Sequence, residues 1–192
     1  MKRIKQRKLV GSHSGGVAVN GRQVAITCQS GVMFFPRGIR HESVEIRMPG
    51  KPELVGISPD GQYVASLGRD KLSVVRVSRQ GYFSDNQTFD LDEDRPTSLA
   101  VGNDYIALSQ SIGGLDVGRS RLHYFRICSA DGKNLERLHW CEMDYEGRVS
   151  VVVASEELEE GTPGHRVMAR FVMAGRGETA GEFAITEADE PE

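Results

Sequence analysis

The chain has 192 residues, 39% hydrophobic and 27% charged, with a formal net charge of −3. That length supports a sizeable core, and the composition is that of a globular chain rather than a disordered one. The negative balance disfavours general polyanion binding, and no apolar run reaches the roughly 18 residues of a membrane-spanning helix.

Residues 1–8 carry five cations: Lys2, Arg3, Lys5, Arg7 and Lys8. No apolar stretch follows, as a secretory leader would require. Residues 2–10 therefore read as a basic arm or as a closing strand. A segment Val17 to Thr27 comes next, with an Asn20-Gly21 turn between two apolar-alternating runs. Val55 to Ser66 repeats the pattern around Ser58-Pro59-Asp60-Gly61, and Leu99 to Ser109 repeats it around Asn103-Asp104. Such turns let two short strands reverse, because Gly, Asn and Asp accept positive φ or cap their own backbone.

The three copies are in register. Val24 to Val64 is 40 positions, and Val64 to Ile106 is 42. Alanines 25, 65 and 107 recur at matching points, where a small side chain lets stacked sheets approach. Each pair predicts a third strand, at Val32–Phe35, Leu72–Val77 and Leu122–Ile127, the last after a Gly-rich loop from Ser111 to Arg121. A fourth is predicted at Ser43–Met48, Gln87–Leu91 and Leu135–Glu142, with Asp131-Gly132 as a hairpin signal in the third unit. Arg148–Ala154, Arg166–Met173 and Glu182–Thr186 form a three-stranded fourth unit. Helical periodicity is poor throughout.

A period of about 40–45 residues with four strands is that of a propeller blade. Ile57 to Ser66 resembles the first turn and second strand of a WD40 repeat, and Asp70 stands where that family places an Asp between its second and third strands. Gly11-Ser12-His13 is similar to the family's Gly-His entry into a blade, with an inserted Ser. No Trp-Asp dipeptide closes a third strand; Val75, Arg76 and Val77 stand there. The single Trp140 lies in a fourth strand. The resemblance, WD40-like or YVTN-like, implies an all-β, small or incomplete propeller of about four antiparallel blades. The expected units are 13–49, 52–91, 96–142 and 146–187, closed by strand 2–10 or by a partner. Unclosed sheet edges are an aggregation liability, which favours a protein partner.

Nothing converges as a catalytic set, and no cofactor is implied. Ser12-His13-Ser14 lacks the strand-turn-helix setting of a nucleophile elbow. Gly113 to Gly118 sits within a hairpin, not at a helix N-terminus. His139 and Cys141 share a strand face but supply two ligands, short of a zinc site. Asp90-Leu-Asp-Glu-Asp94 lacks EF-hand spacing and reads as a solvated or docking loop, as does Glu156 to Glu160. Cys28, Cys128 and Cys141 are far apart and odd in number, which suits free thiols in a reducing cytoplasm. The favoured function is a non-catalytic, cytosolic protein-interaction subunit, as homo-oligomer or hetero-complex. Loop residues Asp92, Glu93, Asp94, Arg119 and Arg121 are its candidate contacts. The alternatives are a propeller enzyme or ligand binder with its site at the central channel, and a nucleic-acid contact through the basic N-terminus.

Overall fold

The structure is a computed structural model and describes residues 16–78, 86–113, 119–127, 135–144, 148–152, 167–174 and 179–186. Among these residues there are fifteen strands and no helix. The first sheet is β1 (Val17–Asn20), β2 (Gln23–Cys28), β3 (Gly31–Phe35) and β4 (Val44–Arg47). The second is β5 (Leu54–Ile57), β6 (Tyr63–Leu67), β7 (Lys71–Arg76) and β8 (Gln87–Asp90). The third is β9 (Arg95–Val101), β10 (Tyr105–Ser111), β11 (Arg119–Ile127) and β12 (Leu135–Asp144). The fourth has three strands, β13 (Arg148–Val152), β14 (Val167–Ala174) and β15 (Thr179–Thr186). Every sheet is an antiparallel meander in chain order.

The sheets stack through their inner strands. β5 lies against β1 and β2, β9 against β5 and β6, and β13 against β9 and β10. The first two stacked pairs each enclose a core. Ala25, Val32, Phe34 and Ile46 of the first sheet meet Val55, Val64 and Val75 of the second. Ala65, Leu67, Leu72 and Val74 of the second meet Ile106, Leu108 and Phe125 of the third. The alternation of strand side chains thus gives the second sheet one face toward the first and one toward the third. Among the described residues no comparable packing joins the fourth sheet to the first. Among the described residues the fold is an incomplete β-propeller, an open arc of blades.

Small residues set the spacing. Ala25, Ala65 and Ala107 are fully buried. A Cβ on Gly56 would sit 2.5 Å from Val101 Cγ2 of the next blade, so β5 and β9 approach too closely for a side chain there. Gly31, at φ 150°, leaves no room either: a Cβ would fall 2.1 Å from the Ile46 carbonyl oxygen.

One expectation is corrected. Arg119 and Arg121 are not loop residues. β10 continues to Ser111 and pairs with Ser120, so β11 begins at Arg119 rather than Leu122. Arg121 pairs across β12 with Glu142, and this opposite-charge match extends the ladder. The basic segment 2–8, the closing strand 2–10, Ser12-His13-Ser14, Cys128, Asp131-Gly132 and Glu156 to Glu160 lie outside the described residues.

Candidate interaction surface

In a meander of this topology the two ends of each blade carry different connections. The β1–β2, β5–β6 and β9–β10 turns gather at one end. The β6–β7, β8–β9 and β10–β11 connections gather at the other.

The first end is stitched from blade to blade. Within the second blade, Ser58 Oγ donates to Asp60 Oδ1 at 2.6 Å and accepts from the Tyr63 amide at 2.9 Å, while the Gln62 amide donates to Asp60 Oδ1 at 2.9 Å. This is why Ser-Pro-Asp-Gly is the most regular turn of the chain. Its neighbours hold it from both sides. Asn20 Nδ2 donates to the carbonyls of Ser58 (2.7 Å) and Pro59 (2.9 Å), and Gln23 Nε2 donates to that of Gly61 (3.0 Å). From the third blade, Asn103 Oδ1 accepts the Asp60 amide at 3.0 Å. The turn asparagines of the first and third blades thus reach into the second.

The second end is charged. Arg121 is its anchor, with a side chain 12% exposed. Its Nη1 donates to Asp92 Oδ2 at 2.6 Å and Asp94 Oδ2 at 2.7 Å, and its Nη2 to Glu142 Oε1 at 2.6 Å. Buried Gln110 completes the clamp: its Nε2 donates to the carbonyls of Arg69 (2.8 Å), Asp92 (3.3 Å) and Asp94 (3.4 Å). The crossover from β8 to β9 is held to the third blade by these bonds. Burial pushes the Asp94 carboxyl up, opposed by Arg121 and reinforced by Asp92 and Glu142. Burial works against the Arg121 charge, but the Glu142 hydrogen bond and the Asp94 and Asp92 carboxylates hold its pKa above the usual value.

Four of the five candidate contact residues therefore meet in one cluster: Asp92, Asp94, Arg121 and, 3.8 Å from Glu142, Arg119. Asp92 presents 76% of its side chain to solvent and Arg119 51%. Glu93 is exposed beside them. Arg69, paired with Glu53 at 3.0 Å, and Lys71, paired with Asp90, extend the charged face.

His123 was not singled out by its sequence. It is buried on β11, stacked 6.0 Å from Phe125, and neither ring nitrogen has a hydrogen-bond partner. Burial, with Arg137 and Arg121 nearby, lowers its pKa to about 4. Cys141 is half-buried, and burial pushes its thiol up. Among the described residues no three His, Cys, Asp or Glu side chains gather as metal ligands.

No family model matches the chain, and no curated protein matches it. Solved structures do. Sqt1 of Saccharomyces cerevisiae superposes with a TM-score of 0.56 at 10% identity, over 90% of this chain and 49% of that one. A chain of the Mitotic Checkpoint Complex gives 0.56 at 11%, over 95% and 57%. The hydrazine synthase of Kuenenia stuttgartiensis gives 0.53 at 13%, over 89% and 53%. The fold is WD40-like. This chain spans about half the length of the solved structures it matches.

Proposed function

We propose that this chain is a non-catalytic protein-interaction subunit of a larger cytosolic assembly, and that the charged end of its blades is the partner-binding face. One observation carries the reading. A nearly buried Arg121 holds exposed Asp92 together with Asp94 and Glu142, with exposed Arg119 3.8 Å from Glu142 and exposed Glu93 between the two aspartates. Charged groups held rigidly on one face give an interface its register and its association rate. The fold likeness is compatible with this and does not select it, since the matched structures include an enzyme as well as a component of a protein complex.

The test is affinity capture under native conditions with the wild-type chain and with the double variant Asp92→Lys/Glu93→Lys. Both residues are exposed, and Arg121 keeps Asp94 and Glu142, so the variant should keep its circular dichroism with a modestly lower melting temperature from the lost Asp92 pair. The expected result is a defined protein partner retained by the wild type and lost by the variant. A partner bound equally by both, or turnover of a small molecule by the purified chain, would contradict the reading.

A further inference from the structure

The outer strands of the second and third blades, β8 and β12, lie against each other along a seam. Phe89 of β8 packs edge-on against Phe125 of β11, with ring centroids 4.9 Å apart. Strand pairing puts Arg137 and Trp140 of β12 on the same face, because they stand opposite Phe125 and His123. A plain strand would turn two residues three apart to opposite faces; a register shift between Tyr124 and Phe125 brings these to one. The central guanidinium carbon of Arg137 lies 5.2 Å from the centre of the Phe89 ring and 5.7 Å from that of Trp140, within cation–π range of both. Carboxylates of these strands are engaged elsewhere: Asp90 by Lys71, Glu136 by Arg126 and Glu142 by Arg121. Among the described residues none lies within ion-pair distance of Arg137. Arg137 is exposed, and so is Trp140, at 49%. Across from Trp140, His123 is 1% exposed and neither ring nitrogen has a hydrogen-bond partner, so polar capacity stays unspent beside the exposed ring.

We propose that Phe89, Arg137 and Trp140 form a docking site for an extended segment of a partner protein, one that sets a carboxylate on Arg137 and a large apolar side chain on Trp140. Charge complementarity favours this occupant. A guanidinium takes a carboxylate in a planar, two-pronged fit, and this one is already placed between two rings, so less freedom is lost on binding. Arg and Trp are also the residue types that carry most of the energy at protein interfaces. β12 suits an extended partner. It is the outermost strand of its sheet, it has ten residues where β4 and β8 have four, and among the described residues no strand pairs with its outer edge. Asp90, Asp92, Glu93 and Glu136 are exposed close by in sequence. That acidic setting disfavours a polyanion such as nucleic acid and tolerates a single carboxylate. The site goes beyond the charged end, since it uses none of Asp92, Glu93 and Arg119.

Trp140 is the single tryptophan of the chain, so its fluorescence reports on this site. The 192-residue chain is screened against an array of short random peptides, and the strongest binder is titrated while Trp140 emission is followed. The expected binder carries Asp or Glu close to a large apolar side chain and shifts the emission saturably. Changing that carboxylate to its amide, or making Arg137→Met in the chain, should weaken binding about tenfold or more, as loss of a charge-assisted pair does. Arg137→Met alters an exposed side chain and keeps its apolar stem, so circular dichroism should be unchanged. Arg137→Lys keeps the charge without the fork and should bind between the wild type and Arg137→Met. An array without a binder, a binder indifferent to either change, or an emission shift produced by oligouridylate or inorganic phosphate at lower concentration than by any peptide would overturn the proposal. Partner capture through Asp92 and Glu93 is a separate measurement, so failure of one reading is told from failure of the other.

Discussion

The Asp60 amide donates to Asn103 Oδ1 across 3.0 Å, joining the turn of the second blade to the turn of the third. Asn20 makes the equivalent reach from the first blade, with two donors' worth of contact to Ser58 and Pro59. A turn residue that holds the next blade contributes to stacking as well as to its own hairpin. Asn103→Ala should cost about 1 kcal/mol and Asn20→Ala about 1–2 kcal/mol, at roughly 0.5–1.5 per net hydrogen bond. Urea unfolding checks this. Equal behaviour of Asn20→Ala and an exposed control such as Arg22→Ala would contradict the bridging role.

Arg121 holds two carboxylates from the crossover and one from β12. Arg121→Met keeps the stem and removes the charge, leaving Asp94 nearly buried without its cation. Breaking such a pair costs about 3–5 kcal/mol when fully buried, so roughly 3 kcal/mol is expected here. Adding Asp94→Leu should recover part of the loss, because the uncompensated charge goes with it. A double variant no more stable than Arg121→Met would show that the charge balance is not what matters.

His123 predicts a pH dependence. Its folded-state pKa is about 4, below the ordinary 6.5. The unfolded chain therefore binds more protons between these values, and stability falls as pH drops through that window, by about 3 kcal/mol when fully developed. His123→Leu removes a ring with two unpartnered nitrogens and should flatten the profile between about pH 4 and 6.5 while leaving stability at pH 7 little changed. Melting temperatures of both proteins across that range decide it, and parallel profiles would assign the dependence to other groups.

Two glycines with positive φ should respond differently to alanine. Gly21, at φ 56°, has nothing within 4 Å of a built Cβ, so Gly21→Ala meets only backbone strain of about 1–2 kcal/mol. Gly31→Ala drives a methyl into the Ile46 carbonyl and must displace β4. It should cost at least twice as much, measured by chemical unfolding.

The meander of each blade was legible because its determinants are local. Ser58-Pro59-Asp60-Gly61 carries its own bonds, and the register of alanines 25, 65 and 107 pointed to close stacking. What lay between blades was not legible. Asn20 and Asn103 read as self-capping turn residues, but their side chains are spent on a neighbour about 40 positions away. Arg121 read as a loop cation, because nothing nearby in sequence announces carboxylates at Asp92 and Asp94. Val17 and Val19 read as apolar strand positions, like their counterparts in the other repeats. Only the packing order of the sheets shows that, among the described residues, no sheet is stacked before them.

Carbene footprinting with mass spectrometry tests the open end of the first blade directly. In the purified chain, Val17 and Val19 should label strongly while Val55, Val64 and Val75, on the equivalent face of the second blade, stay protected. Labelling of Val17 and Val19 as weak as that of Val55 would mean the chain covers its own first blade, and the open arc would be wrong.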